Sequence, residues 1–161
     1  MQNQPDGGAA PARIRDRPTW LISRAYARSH RILNEAFAQS GTGLRSYHYR
    51  LLAALDESGP SSQADLARGT SVDRSDVVSV LGDLEQAGLI QRTVDQANRR
   101  RNIVTLTRAG RKQLKALDRV VNEAQERVIE PLSTSERAQL LTLLRRLGDP
   151  AQSRESPTGR K

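Results

Sequence analysis

The stretch LIQRTVDQANRRRNIVTLT, residues 89–107, sets two short runs of alternating apolar and polar residues on either side of a basic centre. Alternation of period two marks a half-exposed strand. Residues 89–93 and 102–106 are therefore expected to pair as a hairpin. Its tip, residues 94–101, is too long for a two-residue turn and polar enough to project into solvent. Three consecutive arginines, Arg99, Arg100 and Arg101, occupy that tip. A charge run is often no more than a solvated face. Three like charges in a row repel one another, however, and that cost is best explained if phosphates neutralise them. The narrow minor groove of DNA concentrates negative potential and accepts an inserted arginine. Between Gly88 and Lys115 stand eight basic residues and one acid, Asp95.

Two helices lead into the hairpin. Residues 73–87 carry Val77, Val80, Leu81 and Leu84 at helical spacing. Asp73 is placed as N-cap, Asp76 as the acid of a capping box, and Gly88 as a left-handed terminator. Residues 61–68 form a shorter helix, with Ser62 and Asp65 at capping-box spacing, Leu66 and Ala67 on the buried side and Gly69 as its stop. Two helices joined by a tight glycine-containing connector outline a helix-turn-helix, and a basic hairpin directly after it makes a winged helix. In the second helix Arg74 stands against Asp73, Asp76, Asp83 and Glu85, so neighbouring elements must place it on a duplex. Its positions Arg74, Ser75, Asp76 and Ser79 are of types that read base edges: arginine matches guanine, serine several edges, and aspartate accepts from cytosine N4. For Asp76 the capping role outweighs the base-reading one, and Asp83 is expected to pair with a nearby arginine. Ser61, Ser62 and Gln63, opening the shorter helix, complete the candidate DNA contacts.

Long helices flank this unit. Leu21, Ile22, Ala25, Tyr26, Ile32, Leu33, Ala36 and Phe37 keep a helical period from Pro18 to the break at Ser40-Gly41-Thr42-Gly43. A second helix, residues 44–55, carries Leu44, His48, Leu51, Leu52 and Leu55. After the hairpin, residues 107–130 place Leu114, Leu117, Val121, Ala124 and Val128 at heptad-like spacing. Pro131 ends that helix, and Ser133 with Glu136 caps a last one bearing Leu140, Leu141, Leu144 and Leu147. The expected fold is mainly α with a small β-hairpin wing. A winged helix-turn-helix at 44–106 lies between helices at 18–43 and 107–148. Residues 1–17 and 149–161 are expected to be a disordered arm and tail, because they cannot bury enough apolar area to offset ordering.

In 161 residues, 26 Lys and Arg against 18 Asp and Glu leave a net charge of +8, which favours a polyanionic partner or an acidic membrane surface. The predominance of arginine, whose planar fork suits phosphate and guanine, leans toward nucleic acid. Cysteine is absent, so no disulfide, thiolate metal site or thiol switch is possible. No apolar run approaches the roughly 18 residues needed to cross a bilayer, and the N-terminus lacks the apolar segment of a secretory signal. A cytoplasmic, nucleoid-associated protein with no membrane partner is expected. There is no phosphate-binding loop, dinucleotide fingerprint or His-Glu-x-x-His motif, and only two histidines. Neither an enzyme nor a cofactor is therefore expected. The alternative is a non-regulatory, architectural nucleic-acid-binding protein. Such a protein would spread lysines over every face, whereas the arginines here are concentrated beside a helix with readable side chains.

Residues 61–110 resemble the core of the MarR (multiple-antibiotic-resistance regulator) family of transcription factors, and the flanking helices fit it from about Pro18 to Leu147. The pattern Q-x-x-L-A at Gln63, D-x-x-x-V at Asp73, L-E-x-x-G-L-I at Leu84, D-x-x-x-R-R at Asp95 and L-T-x-x-G at Leu106 occurs in order and at close to family spacing. The resemblance implies a homodimer built from the first and last helices, two winged helices on palindromic double-stranded DNA, and repression relieved by a small, often phenolic, effector. The dimer contacts would include Leu21, Ile22 and Val121. Arg100 matches the arginine that enters the minor groove, with Arg99 and Arg101 beside it. Asn98 replaces the aspartate that usually braces this arginine, and Asp76 replaces a frequent threonine. An effector pocket would lie where the first, second and fifth helices approach, near Trp20, Tyr26, His30, Tyr47 and His48. Taken singly, these side chains are more commonly core, dimer or hydrogen-bonded residues than ligand clamps.

Overall fold

The computed structural model describes residues 10–70, 72–95 and 102–148, but not the side chains of Arg74 and Ser75. The elements run α1 (Pro18–Gln39), α2 (Ser46–Ser58), β1 (Ser61–Ser62), α3 (Gln63–Thr70), α4 (Arg74–Gln86), β2 (Ile90–Val94), β3 (Asn102–Leu106), α5 (Arg108–Ile129) and α6 (Thr134–Gly148). The chain divides into two compact units, one ending at Gln125 and the other beginning at Glu126. Among the described residues no helix is long and apolar enough to cross a membrane.

The first unit is organised around leucine and valine stripes that turn inward together. Leu51, Leu52 and Leu55 of α2, Leu66 of α3, and Val77, Val80, Leu81 and Leu84 of α4 pack in one buried cluster with Val104 and Leu106 of the sheet. Phe37 of α1 and Leu114 and Leu117 of α5 close it. Truncating a fully buried leucine such as Leu81 would cost about 2–5 kcal/mol through lost burial and the cavity left behind. The first positions of the heptad-like stripe of α5 serve this same core: Leu114 and Leu117 belong to the cluster and Val121 packs against it, while Ala124 is also buried.

The sheet has three strands, not the two of a simple hairpin. Ser61 and Ser62 pair antiparallel with Val104 and Ile103, giving the order β1-β3-β2. The helix expected at residues 61–68 is displaced accordingly and spans Gln63–Thr70, running through Gly69. The Ser62–Asp65 cap forms as the spacing predicts: the Ser62 hydroxyl donates to Asp65 Oδ2 at 2.5 Å and accepts from the Asp65 amide at 3.3 Å. α2 begins at Ser46, two residues later than expected. Ahead of α1, residues 12–16 turn with hydrogen bonds from the amides of Ile14 and Arg15 to the Pro11 carbonyl. In β2–β3 the register runs from Ile90↔Leu106 to Val94↔Asn102. Opposed residues share a face, and this face passes from buried at Ile90 and Leu106 to exposed at Val94 and Asn102. The hairpin thus leaves the core as it approaches its tip.

The second unit holds α6, started by Glu136, whose carboxylate accepts from the Ser133 amide at 2.8 Å and from its hydroxyl at 2.6 Å. Arg137 Nη1 meets Glu126 Oε2 at 2.8 Å within the same unit. Leu141, Leu144 and Leu147 are exposed.

Two glycines fix the joints on either side of the hairpin. Gly88 takes φ +69°, and the amides of Gly88 and Leu89 donate back to the carbonyls of Glu85 and Leu84 at 2.9 Å each. These paired bonds end α4 and aim the chain into β2. Thr107 then starts α5: its hydroxyl accepts from the Gly110 amide at 3.0 Å and donates toward the carbonyls of Gly88 and Leu89. Gly110 lies so close to this junction that a Cβ there would fall on the Leu89 carbonyl oxygen and 2.7 Å from Leu106 Cδ1. The L-T-x-x-G motif is thus a hydroxyl that fastens and caps, followed one turn later by a residue that must lack a side chain. Gly110→Ala is expected to lower unfolding stability by about 1–3 kcal/mol. Gly82→Ala in α4, whose Cβ would meet nothing within 4 Å, should raise it by about 0.5–1 kcal/mol. Urea unfolding of the two variants checks the opposite signs.

Candidate nucleic-acid interface

α4 occupies the second helix of the helix-turn-helix and is held from both flanks. On one flank stands His48 of α2, its side chain 7% exposed and its Nε2 3.2 Å from Asp83 Oδ2. His48 Nδ1 accepts the Arg45 amide hydrogen at 2.9 Å, and a ring nitrogen that accepts carries no proton. The proton therefore sits on Nε2, which donates to Asp83. His48 is the third residue of α2 and does there what Glu or Gln does in a capping box, while its other nitrogen reaches the next helix. On the opposite flank, Arg92 of β2 binds Glu85 through Nε at 2.8 Å and through Nη2. Asp83 and Glu85 are two residues apart, roughly 200° around the helix, so the two links grip α4 from different sides. Asp83, expected beside an arginine, is partnered by histidine instead; the arginine partner belongs to Glu85.

The Arg92 link also offsets the charge of Glu85, whereas the neutral His48 ring orients Asp83 and leaves it charged. Asp76, Val78, Ser79 and Gln86 are exposed on α4. Asp73 occupies the N-cap position, but its side chain makes no cap hydrogen bond, so the expected Asp73–Asp76 capping box is not formed. Arg74 and Ser75 lie in the first turn of α4, their side chains outside the described residues. Arg99, Arg100 and Arg101 also lie outside them, as does Asn98. Ser61 is half-buried and its hydroxyl donates to the Gly59 carbonyl at 2.9 Å, while Ser62 is buried and bonded to Asp65. Both hydroxyls are turned to the protein's own structure. Gln63, at the head of α3, is half-buried.

The candidate effector residues fall into separate groups. Tyr26 and His30 stack on α1 with ring centroids 5.5 Å apart, and His30 Nδ1 meets Asn34 Nδ2 at 3.1 Å. Trp20 is half-buried near the start of α1. Tyr47 and His48 instead line a cavity of about 600 Å³ between the start of α2 and α4, walled also by Arg45, Asp76, Ser79 and Gln86. Tyr47 further borders a neighbouring cavity of about 310 Å³ that reaches Asn34 and Phe37 of α1. Arg45 and Gln86 belong to no motif. The helical period does lead to Gln86, seven residues beyond Ser79, but nothing in the sequence singles out Arg45. Tyr49, next in α2, donates to Asp118 Oδ1 of α5 at 3.0 Å. Burial, and then this bond to a carboxylate, raise its hydroxyl above the ordinary tyrosine range.

The Arg92 hydrogen bond, opposed by desolvation and helped by charge attraction, holds the Glu85 carboxyl below its ordinary value of 4.5. A carboxyl depressed in the folded state contributes stability above its unfolded value, and that contribution is lost as pH falls through the folded value. The native protein should therefore be more stable than Glu85→Gln near neutral pH, with the difference closing as pH drops below 4.5. Parallel thermal unfolding across the acid range measures this convergence.

Comparison with known proteins agrees with this geometry. Residues 41–101 match the model of the MarR family. The HTH-type transcriptional repressor NicR of Pseudomonas putida is 33% identical over 129 residues, covering 80% of each chain. Among solved structures, Bordetella bronchiseptica BpsR, whose DNA binding is regulated by 6-hydroxynicotinic acid, superposes with a TM-score of 0.78 at 26% identity, covering 87% of this chain and 99% of its own. A MarR-family transcriptional regulator from Rhodococcus gives a TM-score of 0.74 at 26% identity, with coverage of 86% and 96%. With a helix-turn-helix held between α2 and a basic hairpin, and a repressor of this kind matched over four-fifths of its length, the chain belongs to the MarR family of DNA-binding transcriptional regulators.

Proposed function

We propose that this regulator is a homodimeric repressor that grips a palindromic operator and is released by a small aromatic acid. The observation that carries the reading is the placement of α4. Its outward residues Asp76, Ser79 and Gln86 are left open while its flanking acids are held by His48 and Arg92, beside β2 and β3, whose connecting sequence includes Arg99, Arg100 and Arg101. In this arrangement α4 reads the major groove, the arginine tip enters the adjacent minor groove, and Gln63 approaches the backbone. Arg74 and Ser75 stand at the N-terminal end of α4, where a recognition helix meets base edges.

Dimerisation is supported by apolar side chains open on each unit: Leu21, Ile22 and Tyr26 on α1, and Leu141, Leu144 and Leu147 on α6. A two-fold pair of winged helices would address half-sites about 34–36 Å apart, one turn of the duplex. The helices at 18–43 and 107–148 supply that dimer, and 44–106 the DNA-binding part. Release by an effector is supported by the BpsR precedent and by the cavities beside Tyr47. A ligand seated there would press on the walls that carry Asp76 and Ser79.

Arg100→Ala should weaken operator binding at least about tenfold and flatten its salt dependence by roughly one released counterion. Fluorescence anisotropy across a salt series, on the DNA upstream of the regulator's own gene, reads both quantities. Unchanged affinity and slope would remove the hairpin tip from recognition. Adding 6-hydroxynicotinic acid and related aromatic acids should raise Tm and release DNA. A panel that does neither would leave this chain a repressor without that effector class.

A further inference from the structure

The acids of α4 are treated unequally. Asp83 is bound by His48 and Glu85 by Arg92, whereas Asp76 is exposed and its carboxylate makes no hydrogen bond or ion pair with any described residue. The sequence offers it a role as capping acid, but Asp73 at the N-cap has no side-chain cap bond. The positive end of a helix tolerates a carboxylate, yet that does not explain one left open toward a polyanion when the two other acids of the helix are each held by a side chain. A free carboxylate there is costly unless the duplex itself supplies a donor.

We propose that Asp76 selects cytosine at one position of each operator half-site, its carboxylate accepting a hydrogen from the cytosine N4 amino group. This inference rests on the DNA-binding reading above. An ionised carboxylate only accepts, so the base edges rank themselves. In the major groove cytosine presents its amino donor, adenine a donor beside an acceptor, guanine two acceptors, and thymine an acceptor and a methyl group. Asp76 therefore favours cytosine, tolerates adenine less well and is repelled by guanine and thymine. Ser79, exposed one turn further along α4, reaches a neighbouring base pair without imposing a charge.

The test is parallel selection from a randomised duplex library by the native protein, Asp76→Asn and Asp76→Ala. The native protein should enrich cytosine over guanine and thymine at one position per half-site by roughly fivefold or more. An amide both donates and accepts, so Asp76→Asn should move that single preference toward adenine. Asp76→Ala should flatten it, with every other position unchanged in both variants. Identical preferences in all three proteins would overturn the proposal. So would a uniform gain in affinity without a change of base, which would make Asp76 only a repulsive charge. If the native protein enriches no sequence at all, the repressor reading falls and this inference with it. Native enrichment that the variants leave intact sinks the Asp76 assignment alone.

Discussion

Two polar side-chain links around α4 fix that helix in rotation as well as in place. Its apolar stripe of Val77, Val80, Leu81 and Leu84 anchors it to the core, but a hydrophobic contact is non-directional and sets rotation only loosely. His48 and Arg92 supply direction, one from α2 and one from β2. Neither link need contribute much stability, since pairs near the surface are weak. Their effect is chiefly geometric: both orient the helix, and the Arg92 link alone also offsets a negative charge, that of Glu85. His48 does this while capping α2 at Arg45, so the start of one helix and the rotation of another are tied to one ring.

The same economy governs the joint after the hairpin. Thr107 binds the end of α4 and opens α5, and Gly110 allows the first turn of α5 to rest on the Leu89 carbonyl. α4, the hairpin and α5 thereby share one fixed corner. The base of the hairpin is thus tied to helices on both sides rather than to a slack loop. Tyr49 adds a second route, joining α2 to α5 through Asp118.

Much of this was legible in the sequence because its causes are local. The helical stripes, the Ser62–Asp65 and Ser133–Glu136 caps and the Gly88 terminator all depend on residues a few positions apart. What escaped depends on distance along the chain or on brevity. The partner of Asp83 lies 35 residues away at His48, and no pattern connects the two. β1 is two residues long, too short to show a period, and exists because β3 offers it an edge. Asp73 and Asp76 had the spacing of a capping box, but spacing permits such a box without compelling it. Of the candidate contacts, the position of α4 followed from its stripe, whereas the inward turn of the Ser61 and Ser62 hydroxyls followed from a strand that could not be foreseen. The cavity that unites Tyr47 with Asp76 and Ser79 required the fold itself.

The order β1-β3-β2 leaves β2 on the outside of the sheet. Outer strands of this kind invite the backbone of another molecule, and proteins commonly blunt them with charge. Here β2 is only five residues long and exposes the polar Gln91 and Thr93 beside Val94, so it offers another chain little edge along which to pair. The brevity of β2 is thus itself a guard against fibrous self-association.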